Sequence, residues 1–142
     1  MVYHFKVHKE KNGFWAECIE LEGCQTQGET LKELQSNAEE ALNLFLSESD
    51  GYGVVFPLPK KMPSKKGLML VETSPEAALA TLLRHLRNKK GLTLEAVTKM
   101  MGFKSITAYR KLESPKTCNP ELKTLKKLKR VYSELDVDDV LD

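Results

Sequence analysis

Cysteine is scarce in this 142-residue chain: Cys18, Cys24 and Cys118 make an odd number, with no CxxC pair and no framework spacing. That excludes a disulfide scaffold and disfavours a zinc site, so small, partly buried reduced thiols are expected. Nothing near Met1 has the make-up of a secretory leader, which points to a cytoplasmic location. Long apolar runs are also missing. The longest, Ala77 to Leu83, is broken by Thr81 and is far shorter than the roughly 20 residues of a membrane span, so a soluble chain with no membrane partner is expected. Histidine is rare as well. His4 and His8 share a strand face but stand about 13 Å apart, too far to hold one metal ion, and they read as exposed polar positions. No metal and no cofactor are predicted.

What is present is an uneven distribution of charge. Residues 1–59 carry 4 basic and 10 acidic side chains, a net of −6, whereas residues 74–133 carry 14 basic and 4 acidic, a net of +10. The overall +2 conceals this contrast. A clustered positive field attracts phosphate and an acidic one repels it, so one half is suited to nucleic acid and the other is not. Between them, residues 57–67 are rich in proline and lysine and read as an exposed connecting loop. The chain ends Glu134 to Asp142 with five acids and no base. That tail either frays or packs Leu135, Val137, Val140 and Leu141 against a neighbour.

In the first half, Tyr3, Phe5 and Val7 alternate with His4, Lys6 and His8, the period of a half-buried strand. Asn12-Gly13 tolerates positive φ and predicts a tight hairpin into a second strand, Phe14 to Glu20. Gly23 turns the chain into a short strand at Cys24 to Gln27. Phe14 and Trp15 read as sheet core, with the outward ring unassigned. Thr30-Leu31-Lys32-Glu33 is a capping box, with the Thr30 hydroxyl serving the Glu33 amide and the Glu33 carboxylate the Thr30 amide. The helix it opens carries Leu31, Leu34, Ala38, Ala41, Leu42 and Phe45 at helical spacing and stops at Ser49-Asp50-Gly51. Leu68 to Val71 supplies a fourth strand. The reading is a β-β-β-α-β layer.

In the second half, Ser74-Pro75-Glu76 is a helix start with proline at the first position. Leu79, Leu82, Leu83 and Leu86 form its apolar stripe, and Gly91 stops it. Leu92-Thr93 caps a helix from about Leu94 to Met101, Gly102 turns, and Ser105 opens another through Leu112. A last helix carries Leu122, Leu125, Leu128 and Val131. Such an arrangement of short helices in positive charge reads as a helix-turn-helix, in which the helix after the turn enters the major groove. Ile106, Thr107, Arg110 and Lys111 are the base-reading candidates. Thr93, Lys104 and Ser105 stand where helix N-termini meet phosphate. Phe103, Tyr109 and Leu112 are expected to anchor that helix. The lysines of the last helix read mainly as a solvated face.

Two resemblances add to this. The run from Gly13-Phe14-Trp15-Ala16-Glu17-Cys18 through Leu21-Glu22-Gly23-Cys24-Gln25-Thr26-Gln27-Gly28-Glu29-Thr30-Leu31-Lys32-Glu33 to Asn37-Ala38-Glu39-Glu40-Ala41 resembles the N-terminal domain of HicB antitoxins. The resemblance implies a partial RNase H-like fold without nuclease activity. It also implies a partner, a HicA-like toxin: a small basic ribonuclease of double-stranded-RNA-binding fold that cleaves messenger RNA with a histidine. The segment from about Leu82 to Tyr132 resembles Xre/Cro-like repressor domains, whose glutamate stands ten residues after the turn glycine. Here Glu113 stands eleven after Gly102, which leaves the outward register open by one position.

Together these give an α+β chain: residues 1–73 a HicB-like toxin-binding domain of partial RNase H-like β-β-β-α-β form, residues 74–142 an all-α helix-turn-helix DNA-binding domain with an acidic tail. The expected function is a non-enzymatic antitoxin that neutralises a HicA-type toxin and represses its own operon, as a homodimer or higher oligomer on double-stranded operator DNA. A stand-alone repressor with a ligand-sensing N-terminal domain is the alternative. An active RNase H-like nuclease is disfavoured, since Tyr3 to Lys9 contains no acid to begin a metal-binding carboxylate cluster. Glu17 and Glu20 are read as lying on opposite faces of the second strand, as solvated acids.

Overall fold

A computed structural model describes residues 1–48 and 54–141. The chain is α+β, and among the described residues it forms a four-stranded antiparallel sheet of order β3-β2-β1-β4. Strand β1 (Val2–Glu10) pairs with β2 (Gly13–Cys18), which pairs with β3 (Gln25–Gly28). Strand β4 (Leu68–Glu72) returns to the other side of β1, placing Leu70 opposite His4.

The hairpin closes differently from the Asn-Gly expectation. Glu10 pairs with Gly13, so Lys11 and Asn12 make the turn, and Gly13 alone has positive φ, 151°. A Cβ there would lie 2.7 Å from the Gly28 carbonyl oxygen, so close packing of β2 on β3 also requires glycine. Strand β2 ends at Cys18, two residues before Glu20, because the chain bends away while Ile19 donates to the His4 carbonyl at 2.8 Å.

Helix α1 (Leu31–Ser47) starts at the predicted cap: Thr30 Oγ1 accepts from the Glu33 amide at 3.1 Å. The reciprocal arm differs, since the Glu33 carboxylate accepts from the Glu29 amide at 3.3 Å. Leu34, Ala38, Leu42 and Leu46 face the sheet, at about 1.5–3 kcal/mol for each leucine removed from water. Leu31 has the spacing of that stripe but is 57% exposed, whereas Leu46 extends the buried row. The helix ends at Ser47, and the predicted stop at residues 49–51 lies outside the described residues. Tyr3, Phe5, Ala16, Cys18 and Val71 fill the sheet side of this core.

The remaining chain is helical. Helix α2 (Pro75–Lys89) is capped by Ser74, followed by α3 (Leu94–Met100) and α4 (Ile106–Arg110), which tightens into a 3-10 turn over Lys111–Glu113. After it come α5 (Leu122–Val131) and α6 (Asp138–Leu141). Helix α2 is buried on most sides, and its core is continuous with that of the sheet. The Ser74 amide donates to Asn43 Oδ1 at 2.9 Å, and the Thr73 amide to the Met1 carbonyl at 3.0 Å. As far as Leu141 the acidic tail packs rather than frays. Leu135 is fully buried and Val140 nearly so, with α6 packed on α2, while Val137 and Leu141 stay exposed. Among the described residues no helix is long and apolar enough to cross a membrane.

Candidate nucleic-acid interface

Helices α3 and α4 are short, and local capping fixes their ends. Thr93 Oγ1 accepts from the Ala96 amide at 3.0 Å, and Ser105 Oγ from the Ala108 amide at 3.3 Å. Each such cap contributes about 1 kcal/mol. Gly102, at φ 73°, makes the turn between the helices, and the Phe103 amide returns to the Thr98 carbonyl at 3.1 Å.

The tertiary anchor of α4 is a buried polar cluster. Tyr109 and Tyr132 have no exposed surface, and their hydroxyls are hydrogen-bonded at 2.6 Å. Burial, then the Glu113 carboxylate and Tyr132, hold the Tyr109 hydroxyl far above the usual tyrosine range. Immediately after α4, Glu113 receives Arg87 through both carboxylate oxygens, Nε at 2.7 Å and Nη2 at 3.1 Å. Arg87 Nη1 also donates to the Leu92 carbonyl at 3.0 Å, which ties the end of α2 to the chain entering α3. Arg84 Nη2 donates to the Glu113 carbonyl at 2.7 Å and Nη1 to the Val54 carbonyl at 3.1 Å. Burial opposes the charge on Arg87, but the bidentate carboxylate outweighs it and raises the guanidinium above its ordinary pKa.

This cluster was not read from sequence, which counted both arginines into the basic field. A signal existed: Arg84 and Arg87 lie among Leu82, Leu83 and Leu86 on an otherwise apolar helix, and Glu113 is the one acid between Glu95 and Glu121. Arginines so placed need a buried carboxylate.

With Tyr109 and Leu112 turned inward, α4 shows its other side to water. Thr93, Lys104, Ser105, Thr107, Arg110 and Lys111 are exposed; Ile106 and Phe103 are half-buried. Lys104 through Lys111 therefore share one short exposed segment, and Thr93 caps the neighbouring helix. The hydroxyls of Thr93 and Ser105 are already engaged with amides of their own helices. The Lys111 carbonyl accepts from Thr117 Oγ1 at 2.7 Å, holding the chain that leaves this face. Of the predicted stripe on α5, Leu128 is buried and Leu125 half-buried, whereas Leu122 is 86% exposed.

The N-terminal half carries the opposite character. Glu10, Glu22, Glu29, Glu33, Glu39, Glu40 and Glu48 are all exposed. Two expectations fail here. His4 is buried, its Nδ1 2.7 Å from Glu20 Oε2, and the same carboxyl group accepts from the His4 and Lys60 amides at 2.9 and 3.1 Å. Glu20 is thus a buried clip between β1 and the connecting loop rather than a solvated acid, because the bend after Cys18 turns it inward. His8 is also partly covered, stacked on Trp15 with ring centroids 4.1 Å apart and bonded to Glu17 at 3.3 Å. This settles which ring faces outward: Trp15 lies against His8, while Phe14 packs on the core. Among the described residues no group of three or more His, Cys, Asp or Glu is placed to hold a metal ion.

No family model matches the chain, and no curated protein matches it. Among solved structures, the chain is similar to one described as a HicA3 and HicB3 toxin-antitoxin complex, at 27% identity and a TM-score of 0.42. That match covers 53% of this chain and 100% of the other. It is also similar to an antitoxin HicB3 crystal structure, at 28% identity and a TM-score of 0.44, over 51% of this chain and 61% of that one.

Proposed function

We propose that this chain is the antitoxin of a type II toxin-antitoxin pair, a HicB-like protein that neutralises a HicA-like, mRNA-cleaving toxin and represses its own operon. The observation that carries the reading is the partition of charge onto separate surfaces. Exposed glutamates surround α1 and the β1–β2 hairpin, whereas Lys104, Arg110 and Lys111 stand exposed on and beside a helix anchored from behind by Tyr109 and Leu112. The acidic surface suits a small basic ribonuclease and would compete with RNA for it. The likeness of Gly13 to Ala41 to HicB sequences points to the same partner.

On the other side, α3 and α4 act as a helix-turn-helix of Xre/Cro type. Ile106, Thr107, Arg110 and Lys111 meet base edges, while Thr93, Lys104 and Ser105 meet phosphates. One such short helix reads only a half-site, so two copies of the chain occupy a palindrome about one helical turn apart. The chain itself performs no catalysis in this reading. Residues 1–73 form the toxin-binding domain and residues 74–142 the DNA-binding domain.

The test is co-expression with the product of the adjacent short open reading frame, followed by co-purification and an RNA-cleavage assay with and without this chain. A stable complex that suppresses cleavage is expected, together with salt-sensitive binding of the full chain to DNA upstream of its own gene. DNA binding without toxin association would replace this reading with a stand-alone repressor.

A further inference from the structure

Helix α1 covers one face of the sheet. Tyr3, Phe5, Ala16, Cys18 and Val71 point into the core beneath it, so strand alternation sends Lys6, His8, Trp15, Glu17 and Leu70 to the other face. Register sets that face in rows: Gln27, Trp15 and His8 lie across one, and Gln25, Glu17, Lys6 and Leu68 across the next. Lys6, Gln25 and Gln27 are exposed, and Leu70 is 56% exposed. At the centre, on the two inner strands, stands the half-buried His8–Trp15 stack.

The connecting loop borders these rows. Its Lys60 amide is held by Glu20, the partner of His4, and its Gly67 carbonyl accepts from the Val7 amide at 2.8 Å. The loop is therefore tied at one end beside His4 and at the other one residue from His8. The Leu68 amide closes a turn on the Lys65 carbonyl at 3.2 Å, and Lys60, Lys61, Lys65 and Lys66 are all exposed. Residues 57–67 contain no acid, and the acidic count of the first half stops at residue 59, short of these lysines. The carboxylates on the face are Glu17, 3.3 Å from His8, and Glu10 and Glu72 toward its ends; Glu20 is buried.

We propose that this open face binds single-stranded nucleic acid. An aromatic pair on the inner strands of an antiparallel sheet offers a platform for unstacked bases, Gln25 and Gln27 offer both donors and acceptors to base edges, and Lys6 with the loop lysines takes the phosphates. Charge separates this partner from a basic toxin, which the lysines repel and the glutamates around α1 attract. A duplex keeps its bases stacked and gives the platform nothing to hold. The inference stands whether or not the antitoxin reading holds.

Trp15 is the only tryptophan in the chain, so its emission reports on this face alone. The full chain is titrated with oligouridine and oligothymidine of about 12 nucleotides and with a duplex of the same length, followed by Trp15 fluorescence and by anisotropy of labelled strands. Either single strand should quench Trp15 saturably, and the duplex should not. Raising salt from about 50 to 200 mM should weaken binding roughly 20-fold if about three phosphates are neutralised. Lys6→Glu, and Lys65→Glu with Lys66→Glu, should each weaken it about three-fold or more, whereas Lys32→Glu, exposed on α1, should leave it unchanged. Trp15→Ala should cost about five-fold or more by anisotropy, with folding checked by circular dichroism; should that variant not fold, the lysine variants decide. Tighter binding of the RNA strand would add recognition of the ribose hydroxyl, and equal binding would assign phosphate and base chemistry alone; both sustain the proposal. Absence of binding to either strand at low salt overturns it, as does binding that leaves Trp15 emission and the Lys6→Glu affinity unchanged. If neither strand binds and Lys6→Glu instead weakens association with the adjacent gene product, the face docks protein and the proposal falls.

Discussion

Replacing Glu113 by alanine tests the anchor of α4. The residue is 4% exposed, and its carboxylate accepts both Arg87 donors while its carbonyl accepts Arg84. Glu113→Ala leaves the carbonyl in place but strands Arg87 with the Leu92 carbonyl as its remaining hydrogen-bond acceptor in the cluster. Breaking a buried ion pair from one side costs about 3–5 kcal/mol, because the surviving charge stays buried without its counterion. Against a total stability of about 5–15 kcal/mol, that is a large share. With a urea dependence of roughly 2 kcal/mol per molar, the unfolding midpoint followed by far-UV circular dichroism should fall by about 1.5–2.5 M. Glu113→Gln, which keeps an acceptor and loses the charge, should cost roughly 1–3 kcal/mol. Replacing Arg87 and Glu113 together by methionine should recover much of the loss, since the expensive state is the lone charge rather than the missing pair. A Glu113→Ala variant within about 0.5 kcal/mol of the natural chain would show that water reaches Arg87, and would refute the buried anchor.

Arg110→Ala should weaken operator binding by about 1–3 kcal/mol and relax sequence preference, measured by fluorescence anisotropy on matched and mismatched duplexes; retained specificity would remove Arg110 from base reading. Gly28→Ala should destabilise by about 1–3 kcal/mol in urea, because the new Cβ would lie 2.7 Å from the Leu34 amide and 2.9 Å from its Cα, backbone that shifts only with all of α1. Burial raises the thiol of Cys18 to about 11 and those of Cys24 and Cys118 to about 12, so at pH 8 the folded chain should resist alkylation that modifies all three once urea is added. Labelling of the folded chain at the unfolded rate would contradict that burial. Burial likewise raises Tyr132 from 10.0 to about 12. Between these values the unfolded chain has released a proton that the folded one keeps, so stability should fall by about 1.4 kcal/mol per pH unit. The phenolate absorbance contributed by Tyr132, read as the difference from a Tyr132→Phe chain, should therefore appear together with unfolding and not in the folded chain near pH 10.

Much of the framework was legible because it follows from local rules. Period-two alternation gave β1, the Thr30 and Ser74 caps gave the starts of α1 and α2, and Gly91 and Gly102 marked the ends of α2 and α3. Tyr109 and Leu112 were placed inward because a short exposed helix needs an apolar anchor, and both are buried. What local rules did not reveal are pairings that depend on a distant partner. His4 alternates with apolar residues as a solvent-facing position would, yet it is buried against Glu20, 16 residues away, whose carboxylate is in turn held by the Lys60 amide 40 residues further on. Leu31 has the spacing of a core residue, yet in the first turn of α1 it stays 57% exposed.

The charge argument changes most when burial is added. Arg84 and Arg87 belong to the 14 basic residues of the 74–133 segment, but both are turned inward and share one carboxyl residue, so they contribute structure rather than attraction for phosphate. The outward field must come from the exposed lysines, Arg110 and Arg130. That division also gives the two arginines different reach. Arg87 fixes α4 to the chain entering α3, whereas Arg84 joins the Glu113 carbonyl, at the end of that helix, to the Val54 carbonyl in the segment leading back toward the sheet. The outer face of α4 is therefore set by a residue that also holds the N-terminal half. A perturbation of the connecting segment therefore has a hydrogen-bonded route through Arg84 to Glu113, directly after α4.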